Sequence, residues 1–153
     1  MHVLEVVMQV REIMSKDVIC CTPDTNLRDV AKLMAEHDCG DIPIISTRDG
    51  RKPIGVITDR DITCRAVAQG RNPLEITAKD YMSTPVVTVT PEMALEDCCH
   101  VMEEHQIRRV PVVDERGACC GVVSQADIAR VASESRAGHV LREVSRPTSE
   151  PSR

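Results

Sequence analysis

Two short segments carry hydroxyl and carboxylate groups at one spacing: Gly55-Val56-Ile57-Thr58-Asp59-Arg60-Asp61 and Gly121-Val122-Val123-Ser124-Gln125-Ala126-Asp127. A hydroxyl three residues ahead of an acid, at the end of an apolar run, suits the first turn of a helix. There the hydroxyl can cap, and the carboxylate can stabilise the helix by roughly 0.3–1 kcal/mol. The same groups could instead hydrogen-bond a ligand. Arg108 and Arg109 form an adjacent cationic pair, free to be solvated or paired with Glu103 or Glu104. The eight cysteines are Cys20-Cys21, Cys98-Cys99, Cys119-Cys120 and the single Cys39 and Cys64. None lies in Cys-x-x-Cys, the spacing that lets one metal take two ligands from a turn. Cys98 and Cys99 fit an apolar helix stripe, and Cys119 and Cys120 point to opposite faces of a strand. His37 and His105 suit helix C-termini. No nucleophile–base–orienter set is visible, nor a Gly-rich phosphate loop with Lys, so no catalytic and no metal-ligating residue is assigned.

The elements that carry these residues repeat. At an offset of 68 residues, Met14-Ser15 falls on Met82-Ser83, Thr22-Pro23 on Thr90-Pro91, and Leu27 on Leu95. Glu36-His37 then meets Glu104-His105, and Pro43 meets Pro111. With two residues deleted in a turn, Gly55 and Asp61 meet Gly121 and Asp127. Each copy predicts an extended piece (Val18-Ile19; Val86 to Val89) followed by a helix. Leu27, Val30, Ala31 and Met34 share the spacing of Leu95, Cys98, Cys99 and Met102, the i, i+3, i+4, i+7 stripe of a helix face. Two strands follow, Ile42 to Ile45 with Ile54 to Thr58 and Val110 to Val113 with Cys120 to Ser124. Asp49-Gly50 and Arg116-Gly117 supply the turns. A second helix opens at Asp59 or Gln125, burying Ile62 and Ala66 or Ile128 and Ala132. The fold class is thus α/β in the mixed, α+β sense, with two β-α-β-β-α units as a pseudo-two-fold pair. Its expected domains are residues 8–70 and 78–135, a linker over 71–77, and a C-terminal helix with a disordered tail over 136–153.

Composition narrows the function. The chain has 153 residues and a net charge of −5, with 19 basic and 24 acidic side chains, so no general basic footprint offers itself to nucleic acid. With one tyrosine and neither Trp nor Phe, it lacks an aromatic platform for stacking bases and needs an aliphatic core. No apolar run is long enough for a membrane span. The first residues lack a basic start and carry Glu5 in their apolar stretch, which argues against a secretory leader. Eight cysteines without such a leader point to a reducing, cytoplasmic setting.

The repeated GVITDRD and GVVSQAD segments, with HQIRRVPVVD (His105 to Asp114), resemble a tandem cystathionine-β-synthase (CBS) domain pair, or Bateman module, over roughly residues 8–135. The layout is similar to small stand-alone bacterial CBS-pair proteins, some linked to hypoxia or stress. The resemblance implies a non-catalytic regulatory module that binds an adenosine-containing ligand between its domains and signals to a separate, unidentified effector protein. AMP, ADP or ATP is the expected ligand, with NAD or S-adenosylmethionine as further options, and no other cofactor. Asp would accept from ribose hydroxyls, Thr or Ser would donate to phosphate, and Arg would bind phosphate oxygens bidentately. Carried over by position, a first cleft gathers Val56, Thr58, Arg60 and Asp61 with Val87, Arg108 and Arg109. A second gathers Ile19, Gly40, Asp41, Val122, Ser124 and Asp127, with Ala126 where the first has Arg60. Lacking arginine, the second is expected to bind phosphate weakly. The resemblance and the small core of each half also imply a homodimer. The alternatives are a ligand-free dimeric scaffold with a vestigial cleft and, more remotely, a Cys/His metal or redox protein.

Overall fold

The computed structural model describes residues 7–147. Helices and small two-stranded sheets alternate, and the chain divides into two compact units. One unit, the copy-one unit, comprises residues 17–86 with 116–119; the copy-two unit comprises 87–115 and 120–147 with residues 7–16. Both are therefore interleaved in sequence. Residues 7–16 belong with copy two, and residues 78–86 belong with copy one.

In the copy-one unit, α1 (Leu27–His37) starts where the Asn26 side chain accepts from the Asp29 N–H at 2.9 Å. It ends at Asp38, a left-handed residue with φ of 51°. Leu27, Val30 and Met34 are buried, whereas Ala31 is exposed, so the stripe is narrower than its spacing predicts. Strands β1 (Asp41–Ile45) and β2 (Pro53–Thr58) pair antiparallel, Asp41 opposite Thr58. Four of the five β1 residues are buried, while β2 alternates. The left-handed residue of the connecting turn is Arg51 (φ 53°), one position beyond the expected Gly50. After β2 the chain forms a π-helical segment, Asp61–Val67, with Ile62 and Ala66 inward. The short α2 (Ala78–Tyr81) closes the unit, and Ile76, within the stretch expected as linker, is buried in its core.

In the copy-two unit, α3 (Leu95–His105) buries Cys98, Cys99 and Met102. Strand β3 (Arg109–Val113) pairs with β4 (Cys119–Ser124); residues 116–119, which count with the copy-one unit, include the expected turn, where Gly117 takes the left-handed conformation. Helices α4 (Gln125–Val131) and α5 (Glu134–Val144) follow, the latter burying Val140 and Val144. The extended pieces predicted to open each copy are only single parallel bridges, Cys21 with Ile44 and Val89 with Val112. Pro23 and Pro91 turn the chain away too soon for a ladder to grow. The tail expected to be disordered falls, beyond Pro147, outside the described residues.

The repeated Met-Ser and Gly positions explain one another. A methyl group on Gly55 would lie 2.9 Å from Met82 Sδ and 3.0 Å from the Ser83 carbonyl. On Gly121 it would lie 2.7 Å from Met14 Sδ and 3.1 Å from the Ser15 carbonyl. Each Met-Ser backbone bridges the strand beside that glycine, Ser83 to Val56 and Ser15 to Val122. Glycine is what lets the incoming segment approach so closely.

Candidate functional site

Both hydroxyl–carboxylate segments form capping boxes. The Thr58 N–H donates to Asp61 Oδ2 at 3.0 Å, and the Asp61 N–H donates to Thr58 Oγ1 at 3.1 Å. The Ser124 N–H donates to Asp127 Oδ2 at 2.9 Å, and the Asp127 N–H returns a bond to Ser124 Oγ at 3.1 Å. Two backbone donors that the helix itself leaves open are thereby satisfied. The local reason is the strand's end: both Thr58 and Ser124 leave the sheet in extended conformation before the chain coils. The second carboxylate oxygen holds an arginine in each case. Arg65 Nη1 stands 3.4 Å from Asp61 Oδ1, and Arg130 Nη1 stands 3.0 Å from Asp127 Oδ1. A carboxylate offers about four lone-pair positions, so each acid retains acceptor capacity for a ligand.

The surroundings of the two boxes differ. Asp61 is 2% exposed. Its partner Arg65 also donates to the Tyr81 carbonyl at 3.0 Å and stacks 5.5 Å over the Tyr81 ring. Gly40 accepts from the Asp59 N–H at 2.8 Å, and Asp41 faces Thr58 across the sheet. The Thr58–Asp61 box therefore adjoins Asp41 and Asp59, with Arg60 exposed beside it. Val56 is half-buried opposite Pro43, and Ile19 packs against the same core.

In the copy-two unit the residues ahead of the middle strand are basic. The Arg108 carbonyl accepts from the Gln125 N–H at 2.9 Å, which sets Arg108 and Arg109 beside the Ser124–Asp127 box of their own copy. Arg108 is exposed, and Arg109 is partly buried. Val87 and Val122 are half-buried in this unit, Val87 against its core. Gln125 Oε1 is buried and, among the described residues, has no hydrogen-bond partner. An orphaned buried acceptor is costly, and a ligand donor would satisfy it. Gln125 carries no site expectation from the sequence; its place in Ser-Gln-Ala-Asp, one residue after the capping serine, is the available signal. The structure thus groups Val56, Thr58, Arg60 and Asp61 with Ile19, Gly40 and Asp41 in one unit. It groups Val87, Arg108 and Arg109 with Val122, Ser124 and Asp127 in the other.

Among the described residues, no cluster of His, Cys, Asp or Glu is arranged to hold a metal ion. No helix there is long and apolar enough to cross a membrane.

Known proteins resemble this chain in sequence and fold. The CBS domain family model matches residues 10–66 and 78–134. A CBS domain-containing protein of Bacillus subtilis, YhcV, is 36% identical over 138 residues, covering 89% of this chain and 94% of that protein. Hypoxic response protein 1 of Mycobacterium tuberculosis is 38% identical over 120 residues, 78% of this chain and 82% of that one. An uncharacterized protein of Methanopyrus kandleri is 39% identical over 81% of this chain, which spans only 62% of that longer relative. Among solved structures, Hypoxic Response Protein I with two coordinated zinc ions superposes with a TM-score of 0.73 at 37% identity, covering 82% of this chain and all of that one. The CBS domain pair of protein MJ0100, in complex with 5′-methylthioadenosine and S-adenosyl-L-methionine, superposes with a TM-score of 0.73 at 28% identity, over 82% and 96% of the two chains. The internal repeat, its two Gly-apolar-apolar-Thr/Ser-x-x-Asp segments and these matches place the chain in the CBS-domain family, as a tandem pair.

Proposed function

We propose that this chain is a non-catalytic regulatory module that binds an adenosine-containing ligand and passes its occupancy to a separate effector protein. The ligand class is AMP, ADP or ATP, with NAD and S-adenosylmethionine sharing the same ribose and adenine chemistry. A single observation carries the reading: Arg108, whose carbonyl accepts from the Gln125 N–H, lies at one end of the copy-two sheet with the Ser124–Asp127 box and with Gln125 Oε1, which has no hydrogen-bond partner among the described residues. In this proposal Asp127 accepts from ribose hydroxyls. Arg108 and Arg109 bind phosphate, for which guanidinium is well shaped. Gln125 Oε1 accepts from a ligand N–H or O–H. The sequence expectation joined the arginines to Thr58 and Asp61 instead; the bond between Gln125 and Arg108 favours their own copy. Asp41 and Asp59 make the Thr58–Asp61 box a poorer phosphate site and suit it to an uncharged nucleoside portion. The adenosine-containing ligands of the MJ0100 pair support the class of ligand.

The module is proposed to be a cytoplasmic homodimer. Val67, Val131 and Leu141, exposed on the helices, offer apolar surface for a second copy. A related CBS-CP12 protein from cyanobacteria, 28% identical with a TM-score of 0.73, is hexameric. A monomeric mass by light scattering at micromolar protein would overturn the dimer. A ligand-free scaffold is the second reading. The observation in its favour is that both capping boxes are complete without a ligand.

Binding to nucleotide-stripped protein separates the two readings. Asp127→Asn keeps an oxygen for the cap and removes the charge. It is expected to weaken nucleotide binding at least tenfold, as is Arg108→Ala, while Asp61→Asn leaves phosphate-bearing ligands bound. Loss on Asp61→Asn with Asp127→Asn unaffected would return the phosphate site to the other box. No binding of any adenosine-containing ligand would favour the scaffold.

A further inference from the structure

Two cysteines far apart in sequence meet in the copy-one unit. Cys20 and Cys119 form a small buried cluster with Ile45, edged by Val18. The Cys119 thiol hydrogen-bonds the Cys20 sulfur. Arg51 engages both: its Nη2 stands 3.8 Å from Cys20 Sγ, and its Nε donates to the Cys119 carbonyl at 3.4 Å. The Cys119 N–H returns a bond to the Arg51 carbonyl at 2.8 Å, so the arginine is fixed through its backbone as well. That hold is specific, because Arg51 takes the left-handed conformation, with its N–H bonded to the Thr47 carbonyl at 2.9 Å. A thiol beside a cation and a donor is the kind that ionises and reacts. The Cys119 hydrogen bond, Arg51 and Arg48 hold the Cys20 thiol below its ordinary range against the opposing effect of burial. Neighbouring Cys21 is pushed up to about 11, and Cys98 to about 12, chiefly by burial.

We propose that Cys20 and Cys119 form a peroxide-responsive dithiol in which Cys20 is the attacking sulfur, Cys119 the resolving one, and Arg51 the positioning residue. The Cys20 thiolate attacks one oxygen of hydrogen peroxide; an S–O bond forms, the O–O bond breaks, and the departing hydroxide takes up a proton as water. Cys20 is left as a sulfenic acid. Cys119 then gives up its proton, and its sulfur attacks the sulfenic sulfur. The S–S bond forms, the S–O bond breaks, and a second water leaves. Two electrons pass from the sulfurs to the peroxide, and a thiol reductant reverses the change. Hydrogen peroxide is small enough to suit a sulfur this enclosed; Cys20 is 9% exposed and Cys119 3%.

The test treats the native full chain with hydrogen peroxide, alkylates the remaining thiols and maps the peptides by fragmenting mass spectrometry. Fragmentation is needed because each cysteine has a cysteine neighbour. The expected product has lost about 2 Da to one disulfide, mapped to Cys20 and Cys119 and removed by dithiothreitol. Cys119→Ser is expected to leave a Cys20 sulfenic acid that dimedone traps. Cys20→Ser is expected to leave Cys119 reduced. Arg51→Gln is expected to slow loss of the Cys20 thiol several-fold, and Arg51→Lys to restore part of the rate. The wild-type cross-link decides even where a variant fails to fold. A disulfide mapped to Cys21 or Cys120 would overturn the proposal. So would Cys20 and Cys119 both remaining alkylatable after exposed Cys64 has been oxidised.

Discussion

Asp61 and Asp127 serve folding in the same geometry that a ligand would use. Each closes a capping box, and each keeps acceptor capacity. Thr58→Ala and Ser124→Ala are therefore expected to cost about 1 kcal/mol each in urea denaturation, the usual value of a side-chain cap. Gly55→Ala and Gly121→Ala are expected to cost more, about 1–3 kcal/mol, because the added methyl meets a backbone carbonyl as well as a flexible Met side chain. Equal stability of both alanine variants and wild type would mean the Met-Ser segments lie further from the strands. The paired Thr/Ser and Asp were legible in the sequence because spacing alone puts them in one helical turn. The orphaned Gln125 acceptor was not. Its significance comes from which atoms surround it, and Gln at that position reads as an ordinary solvent-facing residue. Cys20 and Cys119 were hidden for a similar reason, since no local spacing relates them.

Among the elements, α1 and α3, the two hairpins and the helices after Asp59 and Gln125 were legible from apolar periodicity. The exchange of Met14-Ser15 and Met82-Ser83 between units was not, because the repeat makes the two segments alike and either unit offers a glycine to receive one. The π-helical form after Asp61 was equally hidden, since Ile62 and Ala66 point inward at α-helical spacing too. Helix α5 was foreseen only as a C-terminal helix, and polar contacts to α3, along with the buried Val140 and Val144, hold it. Arg136 bonds Glu103 on α3 and reaches Glu96 at 2.8 Å, while His139 Nδ1 stands 2.8 Å from Glu103. Burial works against ionisation of Glu103, yet Arg136 and His139 outweigh it and hold its carboxyl below the usual range. A lowered acid adds stability that is full above its unfolded value, near 4.5, and is lost as pH falls through the folded value. Wild-type stability should therefore decline as pH drops below about 4.5. Glu103→Gln should cost about 2 kcal/mol at neutral pH, by loss of charged hydrogen bonds, and should flatten that decline. A Glu103→Gln protein with the wild-type pH profile would show that α5 is held by Val140 and Val144 alone.

For the whole molecule, the repeat was the clearest signal in the sequence, because two copies in register constrain each other's elements. Composition added the aliphatic, cysteine-filled core that the two units contain. The ligand is less legible, since ribose and adenine contacts are common to many adenosine compounds and phosphate recognition rests on which copy's arginines are near which acid. The most direct measurement is a dye-based thermal melt of nucleotide-stripped protein against AMP, ADP, ATP, NAD and S-adenosylmethionine, with Asp127→Asn and Asp61→Asn in parallel. A ligand at about 100 times its dissociation constant adds roughly 2.7 kcal/mol. For a chain of this size that is a rise of roughly 5–10 °C. Such a rise is expected for a phosphate-bearing adenosine ligand, retained in Asp61→Asn and lost in Asp127→Asn. No rise with any of the five at millimolar concentration would contradict that expectation and leave the molecule a scaffold.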